Sequence, residues 1–298
     1  MRGCAELTPE VTGGCFCCRF SELASVIEEL HAYGPDVIFA EPVGSCTDIS
    51  ATVLGPLREE FDRYRLAPFT VLVDPAQAAT LLRDDADANL VFLWRKQLQE
   101  ADLVCMSKAD IYSDATGIPD IEARQLSART GQGVRAWLDE ILAGSLGAGT
   151  KTLEIDYEVY ARAEAALAWL NLSVTLEAVY PATPAAVVGP LVDHLDGAFT
   201  TAGISIVHLK LIDSTATGWL KAAICANGQE PTVEGMLDAS PAKRHELLLN
   251  LRAIGEPDHV REIMENELKH FAGSAHQVRL ECFSPSPPKP ERRVLRTA

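Results

Sequence analysis

Short runs of nearly unbroken apolar residues, Asp36–Ala40, Phe69–Asp74 and Leu103–Ser107, stand between segments whose apolar residues recur at helical spacing. This alternation constrains the fold more than any other feature of the chain. A strand that is apolar on both faces must be covered on both faces, and parallel sheets with crossover helices do this. The intervening helices read as Arg19–Ala32, with Phe20, Leu23, Val26, Ile27 and Leu30 along one stripe and Gly34-Pro35 as its stop, then Asp48–Arg63, Asn89–Glu100 and Val134–Leu142. One more strand is expected near Glu122–Leu126. Residues 1–145 are therefore predicted to form an α/β domain whose ligands gather at the carboxyl ends of the strands.

Beyond residue 145 the pattern changes. Residues 146–157 are read as a flexible linker, and residues 158–284 as an α+β domain with strands at Leu167–Val179, Ile204–Ile212, Gly218–Cys225, His245–Ile254 and Gln277–Phe283. Helices Pro184–Ala202 and Pro257–Phe271 complete the order βαβββαβ, a ferredoxin-like split βαβ sheet with one added strand. Trp169 and Trp219 are expected in its core. Residues 285–298, rich in proline and arginine, read as a disordered tail.

A formal charge of −16 argues against a sequence-independent grip on nucleic acid or anionic lipid. No apolar run is long enough to span a bilayer, and Cys4, Glu6 and Glu10 stand where a secretory signal would be basic and then apolar. No nucleic-acid partner and no membrane are expected, and the cytoplasm is the expected compartment.

The chemistry is concentrated in four segments. Gly13-Gly14-Cys15-Phe16-Cys17-Cys18 offers three thiols in a C-x-C-C cluster, a donor set for a soft or borderline ion such as zinc or cobalt. Three thiols are one short of a closed tetrahedral shell, which Cys46, Cys4 or water would complete. A core turn or a redox pair is the alternative. Ser107-Lys108-Ala109-Asp110 follows a buried run, and Ser127-Ala128 comes seventeen residues after Asp110 with Gly131 and Gly133 beyond it. The first segment resembles the [NTS]-K-x-D of nucleotide-binding GTPases, which implies that Asp110 would accept two hydrogen bonds from guanine, the Lys108 stem would cover the base, and the Ser127-Ala128 backbone would face its O6. Glu41-Pro42-Val43-Gly44 puts a carboxylate near a magnesium-bound water and Gly44 near a phosphate, or else is a solvated strand-end turn. Gly144–Thr152 has the wrong spacing for a phosphate loop. The histidines are spread singly, and His208 reads as a hydrogen-bonded surface residue.

Glu10-Val-Thr-Gly-Gly-Cys-Phe-Cys-Cys18, Glu41-Pro-Val-Gly44, Ser107-Lys-Ala-Asp110 and Ser127-Ala128 together resemble the motifs of CobW-type metallochaperone GTPases, relatives of the nickel-insertion GTPases. The resemblance covers residues 1 to about 145. It implies an incomplete P-loop NTPase-like sheet, with Cys15, Cys17 and Cys18 binding zinc or cobalt and Glu41 acting at magnesium. It further implies that Gly44, Ser107, Lys108, Asp110, Ser127 and Ala128 bind GTP, and that the carrier delivers its metal to a client metalloenzyme or corrinoid-dependent protein. The G-x-x-x-x-G-K-[ST] loop with which family members begin is not in this sequence, so the chain reads as an N-terminally truncated copy deficient in hydrolysis. A non-catalytic adaptor of a corrinoid or metalloenzyme is the second reading.

Overall fold

The computed structural model describes residues 8–12, 14–112, 117–271 and 273–295. The chain divides into two compact units, residues 1–161 with 287–298, and residues 162–286.

In the first unit β1 (Thr70–Val73), β2 (Leu103–Met106) and β3 (Ala123–Gln125) form a parallel sheet in the order β1-β2-β3. Helices α1 (Phe20–His31), α2 (Gly55–Glu60), α3 (Pro75–Leu81), α4 (Ala88–Glu100) and α5 (Val134–Ala143) accompany it, and α6 (Tyr157–Ala165) begins in this unit and runs past its boundary. All of β2 is buried, and Val104 and Met106 pack with Val73, Leu81, Trp94 and Leu98 in one core. A second core gathers Cys17, Phe20, Leu23, Cys46, Ile49 and Val53.

The expected strand at Asp36–Ala40 is absent. That stretch is irregular, with Val37 43% and Phe39 68% exposed. Pro35 and Pro42 remove backbone donors at its two ends, and no neighbouring strand pairs with it among the described residues. The single helix expected over Asp48–Arg63 is shorter and two-part: a π-helical turn, Ser50–Leu54, runs into α2. The Gly55 amide bonds to the Ser50 carbonyl, and Pro56 brings no amide of its own to restore α spacing. Helix α3, which the periodicity does not reveal, starts where Asp74 caps the Ala76 amide at 2.9 Å and Pro75 takes the first helical position.

Residues 287–295 are likewise not a disordered tail; they lie along the first unit. Glu291 accepts from the Ser21 amide at 2.8 Å, where a carboxylate suits the start of α1, and its own amide donates to the Cys17 carbonyl at 2.9 Å. Arg293 Nε meets the buried Asp48 at 2.8 Å, and the Val294 amide bonds to the Ala51 carbonyl at 2.8 Å. Composition cannot report partners that lie this far away in sequence.

The second unit is a six-stranded antiparallel sheet made from β4 (Leu167–Ala182), β5 (Ser205–Thr215), β6 (Gly218–Ile224), β7 (Thr232–Gly235), β8 (Ala242–Ile254) and β9 (Gly273–Phe283). Its order is β7-β6-β5-β8-β4-β9, with α7 (Pro184–Thr201) after β4 and α8 (Pro257–Lys269) after β8. The four strands β5-β8-β4-β9 are those of a split βαβ arrangement, and β6 and β7 extend its edge. Alternation along β8 buries Leu247, Leu249, Leu251 and Ala253 with Val188, Leu195 and Phe199 of α7 and Met264 of α8. Trp219, expected in the core, is 42% exposed on β6. No helix among the described residues is long and apolar enough to cross a membrane.

Candidate metal centre and guanine-recognition loops

The thiol centre is assembled from two loops. Residues 15–18 form a turn in which the Cys18 and Arg19 amides bond to the Cys15 carbonyl, directly before α1. The second loop folds where the Cys46 amide bonds to Val43, and Gln97 of α4 holds it with bonds to the Gly44 and Cys46 carbonyls at 2.7 and 3.1 Å. The Sγ atoms of Cys15, Cys17 and Cys46 consequently lie within 4.8 Å of one another, and Cys17 and Cys46 are buried. Sulfurs bonded to one zinc at 2.3 Å stand about 3.8 Å apart, so the group could bind a metal ion.

Electrostatics single out Cys15. Its thiol is held well below the usual range, chiefly by its side-chain hydrogen bond with Cys17 and next by that with Cys46, while burial opposes. Cys17 is pushed the other way by the same bond to Cys15, and so is Cys46. Within the cluster Cys15 is thus the thiol whose anionic form is most favoured. Cys18, expected as the third ligand, lies outside this trio; its Sγ is 3.7 Å from that of Cys17 and accepts the Lys289 amide at 3.1 Å. Cys46 takes the third place. Cys4 and Gly13 lie outside the described residues.

The second constellation sits at the carboxyl ends of β2 and β3. Ser107 is tied to the Val73 carbonyl through both amide and hydroxyl, and the Ala109 amide bonds to Leu126. Buried Ser127 donates its hydroxyl to Asp110 Oδ1 at 2.6 Å and accepts the Thr130 amide at 3.1 Å, while its own amide bonds to Gln132. Asp110 and Ala128 are exposed, so the loops present a fixed carboxylate beside open backbone. Lys108 has a positive φ of 56° and pairs through Nζ with Asp74 Oδ2 at 2.6 Å.

Glu41 and Gly44 are not carried to this rim by a strand. Both are exposed, and their segment instead carries Cys46 to the thiols. Sequence spacing gave Cys46 only as one of several possible fourth ligands, because the loop that delivers it is closed by Gln97 from a distant helix.

Residues 1–134 match the family CobW/HypB/UreG, nucleotide-binding domain. No curated protein matches the chain. Among solved structures, a Zn(II)-bound triple mutant of the YjiA GTPase is 14% identical, with 74% of this chain and 68% of that chain covered and a TM-score of 0.25. The Zn(II)-bound YjiA GTPase from E. coli is also 14% identical, with 72% and 68% covered and a TM-score of 0.24. Scores this low lend no weight to any functional reading.

Proposed function

We propose that this chain, whose residues 1–134 match the CobW/HypB/UreG nucleotide-binding domain, is a guanine-nucleotide-linked metal carrier that holds zinc or cobalt on Cys15, Cys17 and Cys46. The convergence of these thiols carries the reading. Three sulfurs leave a tetrahedral ion one position open, which suits transfer to a client metalloenzyme or corrinoid-dependent protein better than permanent structure. Asp110, held through Oδ1 by the Ser127 hydroxyl and exposed, supports this reading, because a carboxylate there would accept the paired donors of guanine, which adenine does not offer.

The phosphate end does not fit in the same way. The sequence contains no G-x-x-x-x-G-K-[ST] segment, and Glu41 and Gly44 sit on an irregular exposed stretch. No hydrolytic step is assigned to these residues.

Cobalt(II) titration tests the metal half, because thiolate ligation gives an intense near-ultraviolet charge-transfer band. The band is expected in the native chain and in Cys18→Ser, and is expected to be lost in Cys46→Ser. A band indifferent to Cys46, or absent throughout, overturns the assignment. For the nucleotide half, a fluorescent GDP analogue is expected to be displaced by GDP but not ADP, with that preference lost in Asp110→Ala.

A further inference from the structure

Two histidines far apart in sequence meet in the second unit. α7 and α8 pack against each other and border a groove lined in part by Asp193, His194, Asn266, Glu267 and His270. Glu267 is mostly covered, with 14% of its side chain exposed, and both imidazoles face the same oxygen. His270 Nδ1 is 3.4 Å from Glu267 Oε2, and His194 Nδ1 is 3.9 Å from it.

Glu267 and His270 stand three residues apart, which sets them on one helical face, and His194 comes from the neighbouring helix. Two helices supplying a Glu-x-x-His pair and a further ligand is a recurrent way to build a metal site. Bonds of about 2.0–2.1 Å from one zinc to imidazole nitrogen and carboxylate oxygen leave tetrahedral ligand atoms roughly 3.3–3.5 Å apart. The His270–Glu267 separation is of this size and the His194–Glu267 separation is slightly larger, while the two imidazoles stand more than 4.8 Å from each other on either side of the carboxylate. His194 and His270 side chains are 63% and 67% exposed, so rotation about their own side-chain bonds can close the set on an ion. As exposed ion pairs alone, the same contacts would contribute little stability.

The surroundings also favour a cation. His270 caps the C-terminal end of α8, where the helix dipole is negative, and Asp193 lines the same groove. Lys269, next to His270 in sequence, is bonded through Nζ to Asn266 at 2.9 Å.

We propose that His194, Glu267 and His270 form a second metal site for a borderline divalent ion of the zinc class, with two imidazole nitrogens, one carboxylate oxygen and a fourth position open to water or an exchanging ligand. Its donors differ from the sulfurs of the first unit, so it favours borderline over soft ions. The site stands independently of the thiol reading.

Zinc stoichiometry of the full chain, measured by equilibrium dialysis, tests it. His194→Ala/His270→Ala is expected to bind one zinc fewer per chain than the native protein, with its cobalt charge-transfer band unchanged. Glu267→Gln is expected to retain the fold by thermal melt and to weaken zinc at this site by at least ~10-fold. Unchanged stoichiometry in the double-histidine variant overturns the proposal. If the thiol reading alone is wrong, the native chain shows no charge-transfer band while its zinc still falls from one to none in that variant.

Discussion

Glu100, the last residue of α4, is wholly buried, and its Oε2 accepts the Ser50 amide at 3.2 Å while Oε1 has no partner among the described residues. Burial, with the nearby charge of Asp48 adding to it, pushes its carboxyl up to about 8. An unfolded glutamate titrates near 4.3, so between that pH and about 8 the folded chain holds a proton that the unfolded chain has released. The stability this proton confers is fully present below about pH 4 and is lost as pH rises through 8. Glu100→Gln keeps the shape without the charge. It is expected to melt with the native protein at pH 4 and to be more stable at pH 8 by on the order of 1–3 kcal/mol, read from denaturant titrations at the two pH values. That Cys15 lies beside Cys17 was legible because the two share one short turn. That Cys46, and not Cys18, converges on them was not, because proximity of sulfurs is decided by how two loops close, and adjacency in sequence does not report it.

Between β3 and α5 the chain makes the tight loop that aims Ser127 at Asp110, and Gly133 ends it with φ of 72°. A Cβ at Gly133 would collide with the Gln125 carbonyl oxygen, fixed in the backbone of β3, and press on the Leu126 side chain. Gly131, with φ of 80°, has open space where its Cβ would go. Gly133→Ala is therefore expected to destabilise the protein by roughly 2–4 kcal/mol and to weaken the fluorescent GDP analogue, whereas Gly131→Ala meets only left-handed strain of about 1–2 kcal/mol. Thermal melts and nucleotide titrations of the two variants check the contrast; equal losses would remove the steric account. At this scale the sequence was most legible where strands and helices have strong periods, as in β2, α4, α7 and α8. Asp36–Ala40 misled because an apolar run reports burial potential, and a strand also needs a partner. Helices α3 and α6 are too short for a clear apolar stripe, and only the Asp74-Pro75 cap announces the first of them.

Across the whole chain, the first unit is closed by a segment from the opposite terminus. Arg293 reaches Asp48, whose Oδ2 also accepts the Tyr157 hydroxyl at 2.6 Å, and Asp48 is wholly buried with a positive φ of 60°. A buried carboxylate that loses its cation is left uncompensated, and such a loss costs about 3–5 kcal/mol. The Lys289 amide on Cys18 and the Glu291 amide on the Cys17 carbonyl tie the same segment to the thiol turn. Stability of the first unit and order at the thiol cluster should therefore fall together when this segment is disturbed. Arg293→Ala is expected to speed amide exchange throughout residues 15–60 and to lower cobalt affinity, while exchange in β4, β5 and β8 stays native. Arg293→Lys, which keeps the charge but loses the planar guanidinium over the Tyr157 ring, should recover part of both effects. If Arg293→Ala left exchange in residues 15–60 unaltered, the C-terminal segment would be an ornament on a unit that is complete without it.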